Sequence, residues 1–469
     1  MKRRRILLMG AVLFASGCSM IPKYTRPEAP VPPSWPQTAA ADPATARPAD
    51  IPWREFFADA RLQSVIETAL ANNRDLRVAA LNVEKAAAMY RIQRSELYPG
   101  WGVQASGERY RLPEKVSEGG SAEIVEQDSV YVGFISWELD LFGRIRSLKA
   151  GALEGYLATE QGRVAALISL VGGTARAYLV LAADGENLRL ARTTLEAQQS
   201  SLDLIHKSAE VGIASDLDYR QAQSQVEAAR ADVARFTGLV AVDRNALDLL
   251  AGTTLGDALL PEGLSEVTGP DALAPGMPSE VLLRRPDILA AEHQLKAMNA
   301  NIGAARAAFF PRITLTGALG TMSGALSDLF SSGTRTWTFT GQAAAGIFYS
   351  GLLRANLKAA EVDREIAVAR YEKAIQVAFS EVSDSLALRS TLVEQRDAQE
   401  ALVRALEETY RLYDARYKAG IDGYLGVLIA QQALLRAQQG LVLVRLAEAA
   451  NRVTLYEALG GGESEEAKP

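Results

Sequence analysis

The stretch "TRTWTFTGQAAAGIF", residues 334–348, alternates along its length: Trp337, Phe339, Gly341, Ala343, Ala345 and Ile347 fall on one side, and Thr336, Thr338, Thr340, Gln342 and Ala344 on the other. A period of two is the pattern of a strand with one apolar and one polar face. Three more segments leave the helical pattern that fills most of the chain. They are "GWGVQASGERYRL" (100–112), "DSVYVGFISWELD" (128–140) and "PRITLTGALGT" (311–321). A polar Gly/Ser/Glu loop separates the first two, and a Gly/Ser loop separates 311–321 from 334–348, so the four form two hairpins. Each is close to the length that crosses an outer membrane at a tilt, and hairpin partners with aromatics near the ends suit a lipid-facing band. Four strands cannot close a barrel, and an unclosed edge in lipid leaves backbone groups unpaired at several kcal/mol each. The smallest membrane barrels have about eight strands. Several copies of the chain must therefore build one barrel together.

The rest reads as helix. No proline falls between Pro113 and Pro261, or between Pro311 and Pro469, and Ala, Leu, Gln, Glu and Arg dominate both stretches. Leu167, Ile168, Val171, Ala175, Tyr178, Leu179 and Ala182 have the spacing of one buried stripe. One helix over Arg144–Glu210 would be about 100 Å long at 1.5 Å per residue. Beyond the N-terminal one, no apolar stretch is expected to approach the roughly 20 residues that a membrane helix needs.

The chain also repeats itself. "NRDLRVAALNVEKAAAMYRIQRSELYPGW" is echoed by "RPDILAAEHQLKAMNANIGAARAAFFPRI", "FGRIRSLKAG" by "SGLLRANLKAA", and "AEVGIASDLDYRQAQSQVEAAR" by "YKAGIDGYLGVLIAQQALLRAQ". Gly143 and Gly351 are 208 positions apart, and so are Gly212 and Gly420. The expected organisation is a leader at 1–17, a proline-rich tether at 18–60, repeat one at 61–260 with its hairpin near 100–140, and a connection at 261–286. Repeat two follows at 287–460 with its hairpin near 311–348, then a polar tail at 461–469.

The single cysteine, Cys18, ends "LFASGCSMIPKY", which follows Lys2, Arg3, Arg4 and Arg5 and a short apolar run. This resembles a bacterial lipobox, which would lipidate Cys18 and make it the mature N-terminus. Ser19 follows, where aspartate would resemble an inner-membrane retention signal, so an outer-membrane destination is favoured. With Cys18 committed to lipid, no disulfide or cysteine zinc site is expected. His206 and His293 are the only histidines, the net charge of −6 gives no case for nucleic acid, and no phosphate loop or nucleophile motif is present. No enzyme activity and no cofactor are expected.

Five motifs, "LLRRPDILAAEHQL", "NANIGAARAAFFPRITLTGALG", "WELDLFGRIRSLKAG", "YEKAIQVAFSEVSD" and "ARYKAGIDGYLGVLIAQQ", carry a resemblance that extends over nearly all of the mature chain, in order. The chain resembles the TolC/OprM class of outer-membrane efflux channels, and most of all the lipidated, NodT-like members that work with RND pumps. The resemblance implies a mixed α and transmembrane β fold: a trimeric channel with a 12-stranded shared β-barrel, four strands per chain, above a long periplasmic α-helical barrel. It also implies a homotrimer in outer-membrane lipid, partnered by a periplasmic adaptor and an inner-membrane RND transporter that supplies the energy.

The breaks at "EVGIASDLDY" and "KAGIDGYLGV" would be the periplasmic turns of two helical hairpins, marked by Gly212, Asp216 and Gly420. Glycine ends a helix at little cost in the left-handed conformation. Ser215 and Asp218 have capping-box spacing. By the resemblance, Asp422, Tyr424 and Leu425 match the constriction. Ile429 stands where many relatives carry aspartate, which implies a greasier aperture. Closed-state polar links match Asp184 on one side and Arg416 with Tyr417 on the other. A protein-secretion duct of the same fold, and a non-conducting coiled-coil spacer, are the competing readings; the four strand segments have no use in a spacer.

Overall fold

The computed structural model describes residues 19–35, 51–212, 214–264 and 279–461. Cys18, the leader, part of the tether and of the inter-repeat connection, and nearly all of the tail lie outside them. In chain order the elements are α1 (Trp53–Phe56), α2 (Ala60–Asn72), α3 (Arg74–Ser95), β1 (Trp101–Leu112), β2 (Glu123–Glu138), α4 (Arg144–Glu210), α5 (Asp216–Ala251), α6 (Pro286–Ala307), β3 (Arg312–Ser323), β4 (Arg335–Ala344), α7 (Leu352–Lys418) and α8 (Tyr424–Ala458). Helix α4 is one uninterrupted element over the residues that the proline-free, striped sequence marks out. Helix α7 has the same 67 residues.

The chain divides into two compact units, one of residues 1–28, 82–160 and 290–371, the other of 29–81, 161–289 and 372–469. The first holds the sheet. Its order is β1-β2-β3-β4, every pair antiparallel, so β1 and β4 are free edges. Strand β2 starts five residues before the expected segment, because Glu123–Gln127 complete the ladder with the end of β1. Strand β4 stops at Ala344, since its ladder partner Arg312 is the first residue of β3 and nothing remains to pair Ala345–Phe348. In the same unit an N-terminal strap lies along α6. Asn299 donates to the Pro22 carbonyl at 2.8 Å, and buried Glu292 accepts from Tyr24 at 3.2 Å and pairs with Arg26 and with Lys296. Gly303 lets the strap approach, since a Cβ there would lie within 2.8 Å of Ile21.

The second unit is helical. Trp53, Phe56 and Phe57 are buried, and Phe56 stacks on Tyr456 with ring centres 4.0 Å apart. Asp59 caps α2 through the amides of Arg61 and Leu62, and also accepts from Tyr178 at 3.1 Å. The Arg-Pro-Asp motif acts here through Arg285, whose guanidinium grips Asp287 with two nitrogens, pairs with Glu381 and donates to the Ala458 carbonyl. It thereby ties the start of α6 to α7 and α8.

One expectation is corrected. Helices α4 and α8 each contain an 18-residue window apolar enough to cross a membrane, with mean hydropathy 1.7 and 1.3. In α4, 61% of that window is buried by packing, so its apolar residues serve a helical core.

Candidate functional site

The sheet register sorts side chains onto two faces. Ile313, Leu315, Gly317 and Leu319 stand opposite Ala343, Gly341, Phe339 and Trp337 on β4. Across β2 the same face continues through Trp137, Phe134 and Val132, and on β1 through Trp101 and Val103. The other face carries Arg312, Thr314, Thr316, Gln342, Thr340 and Thr338, with Glu138, Tyr131 and Ser129 on β2 and Gln104 and Ser106 on β1. One greasy and one polar face is what a wall between lipid and water requires.

A bulge keeps this sorting intact. Between Phe134 and Trp137 the register with β3 slips by one residue, and Ser136 takes a φ of 54° while its amide donates to Thr316 Oγ1. Without the extra residue Glu138 would stand opposite Ile313 on the apolar face; with it, Glu138 stands opposite Thr314 on the polar face. Glu138 accepts from Arg144 Nε and Nη2, both at 2.8 Å, and forms an ion pair with Arg312 Nε at 2.6 Å.

The second place is the end of the two helical hairpins. Gly212 and Gly420 both sit at positive φ, 75° and 71°. After Gly420 the Ile421 amide reaches back to the Arg416 carbonyl, a Schellman-type stop. Asp216 opens α5, and Ser215 with Asp218 forms a full capping box before it. Beneath the turns, Ile205, Ala222, Tyr424, Val427 and Leu428 form one buried cluster with Tyr417 against it. Deeper along the hairpins, Gln431 accepts from Gln198 at 2.9 Å, and Gln432 donates to Gln225 at 2.7 Å, so α8 is tied to both α4 and α5.

The residues matched to a constriction separate into two kinds. Leu425 and Ile429 are 53% and 59% exposed and lie one helical turn apart, so they present one apolar stripe outward. Tyr424 does not join them: it is 4% exposed inside the chain's own hairpin packing, where burial pushes its phenol up to about 12. Tyr424 thus sits in the hairpin core and not on the exposed stripe, because helix periodicity turns it away from Leu425. Asp422 accepts from Arg416 through both carboxylate oxygens, which holds its carboxyl below the usual range.

The structure does not bring Asp184 to Arg416 or Tyr417 within the chain. Asp184 lies 26 residues before the end of α4, about 39 Å along the helix from the turn. Its partner is Asp243 on α5, whose carboxyl is pushed up to about 6 by burial and then by the Asp184 charge and hydrogen bond. Leu188, Ala191 and Phe236 close the core beside this pair. Sequence reasoning missed Asp243 and the glutamine ties. The signal for Asp243 was available, since Asp184 and Asp243 are equidistant from the turn near residue 213 and must meet in an antiparallel hairpin.

Comparison with known proteins agrees with this geometry. The family described as outer membrane efflux protein matches residues 65–253 and 277–461. The chain is 46% identical to the antibiotic efflux pump outer membrane protein ArpC of Pseudomonas putida, covering 98% of this chain and 96% of that one. Identity and coverage are the same for the toluene efflux pump outer membrane protein TtgC, also of Pseudomonas putida. The open state of the MtrE outer membrane channel of Neisseria gonorrhoeae superposes with a TM-score of 0.86 at 37% identity, covering 96% of this chain and all of that one. A sheet with one lipid face and one water face, two 67-residue helices and these matches lead to one conclusion: the chain belongs to the outer membrane efflux protein family, a mixed α and transmembrane β protein of the outer membrane that extends into the periplasm.

Proposed function

We propose that three copies of this chain form the exit duct of a tripartite, RND-type efflux pump and conduct small toxic compounds passively across the outer membrane. The observation that carries the reading is the two-faced sheet with both edges, β1 and β4, unpaired. In lipid those edges require partners, and β1 of one copy on β4 of the next supplies them. Solvents and antibiotics are the proposed cargo, by likeness to relatives named for toluene and antibiotic efflux. An adaptor and an inner-membrane transporter are the proposed partners at the hairpin ends, and lipid on Cys18 assists anchoring.

The gate in this proposal is the exposed stripe of Leu425 and Ile429. Three copies brought together make an apolar constriction that dewets when narrow. The Arg416–Asp422 pair keeps each turn folded against its own helix, so an opening motion moves the hairpin end as one piece. The molar mass of the detergent-extracted protein, corrected for bound detergent, tests the assembly. Three chains, with ion-conducting events in planar bilayers, are expected; a monomer without conductance refutes it.

A further inference from the structure

Two motifs stand out in the sequence without a role at the gate: "WELDLFGRIR" (137–146) and "FFPRITL" (309–315). They meet where the strands leave for the helices. Glu138 ends β2, Arg144 begins α4 and Arg312 begins β3, and the bulge sets Glu138 on the polar face beside Arg312. Together with Phe309, Phe310, Tyr349 and Leu353 they line a cavity of about 290 Å³. We propose that this cluster is an anion-binding site in the channel lumen, at the junction of barrel and helices, which favours solutes carrying chloride-like, carboxylate or phosphate charge. The proposal rests on the duct reading, which makes the polar face the lumen wall.

The charge balance supports it. Glu138 is 9% exposed, accepts two hydrogen bonds from Arg144 and pairs with Arg312, so it has little left to offer a cation. Arg312 is 61% exposed, meets Glu138 through its Nε and lines the cavity. Nearby Asp140 is taken up by Arg146 and by the amides of Ile145 and Arg146. Glu96, just past the end of α3, acts on Arg144. What the lumen meets at this level is guanidinium. Elsewhere on the polar face of the sheet, Glu108 and Glu123 lie toward the far end, away from Arg312 at the base. Aromatic walls of low dielectric focus that field.

Three such charges placed one Debye length, about 8 Å, from a channel axis would raise the local anion concentration about two- to three-fold and lower that of cations equally. The test is the reversal potential of single channels of the full-length protein in planar bilayers under a potassium chloride gradient. Arg312→Gln should lower the chloride-to-potassium permeability ratio by the square of that factor, about four- to nine-fold, because cations are depleted as anions are enriched, while Arg312→Lys, which keeps the charge, should hold it. Thr314→Asp leaves the arginine cluster in place and sets a negative charge on the same face, so it should lower the ratio as well. Channels of Arg312→Gln, or of Thr314→Asp should the former fail to assemble, with the wild-type ratio would overturn the inference and leave the duct intact. A wild-type protein that forms no channels would instead overturn the duct reading.

Discussion

The Asp184–Asp243 pair makes a prediction that can be worked from its environment. Two carboxyls held together between α4 and α5 share a proton more readily than they bear two charges, and Asp243 accordingly moves from 3.8 to about 6. Because the folded-state pKa is raised, the native protein binds more protons than the unfolded chain between about pH 4 and pH 6. Stability therefore falls as pH rises through that window, and the penalty is complete above pH 6. A shift of about two units corresponds to about 3 kcal/mol as an upper bound, which solvent screening of a partly exposed pair reduces to about 1 kcal/mol per chain. Asp243→Asn removes the charge and keeps the hydrogen-bonding shape. For a chain of 469 residues, an unfolding entropy of roughly 1 kcal/mol/K makes the gain about 1 °C. Differential scanning fluorimetry in detergent at pH 7.5 should show that gain, and it should fade as the pH is lowered from 6 toward 4. Asp184→Asn should give the same gain, and the double variant no more, since either change ends the repulsion. A difference independent of pH, or a loss at pH 7.5, would refute the shared-proton account.

Other perturbations have equally direct readouts. Leu425→Ala combined with Ile429→Ala should raise single-channel conductance without lowering the melting temperature, because both side chains are exposed within the chain. Ser215→Ala removes half of the capping box before α5 and should cost about 1 kcal/mol locally, seen as faster amide exchange in the first turn of that helix. Glu292→Gln should free the N-terminal strap, read as faster tryptic cleavage after Lys23. The Glu292 carboxyl is pushed up by burial but held below the usual range by Arg26 and Lys296. Its hold on the strap should therefore be present at neutral pH and weaken as the pH falls through the acid range.

Much of the fold was legible because it rests on periodicity and punctuation. The 3.6-residue stripe and the lack of proline over 144–210 identify α4, and the threonine-aromatic alternation identifies β4. Local patterns fail where a neighbour decides. Residues 123–127 read as polar loop, yet they pair with the end of β1. Leu425 and Tyr424 are adjacent in sequence and opposite in environment, and only the packing of α4 and α5 against α8 tells which one is buried. The bulge that aims Glu138 leaves no signature that the pattern of "GFISWELD" would reveal without its ladder partner. Arg285 stands in a motif long enough to notice, but its grip on Asp287, Glu381 and the Ala458 carbonyl joins segments 173 positions apart.

The equality of α4 and α7, both 67 residues, constrains how such a chain can change. One added residue in either helix turns everything beyond it by about 100°. Leu188 would swing away from Phe236, or Tyr371 out of its burial, and the glutamine ties would lose register. Lengthening is tolerable only in steps close to whole numbers of turns, such as about seven or eleven residues, and only when the duplicate helix and the returning arms lengthen together. The two halves of the gene are therefore bound to a common ruler: their side chains can drift apart, as the echoes between them show, while their lengths cannot drift independently.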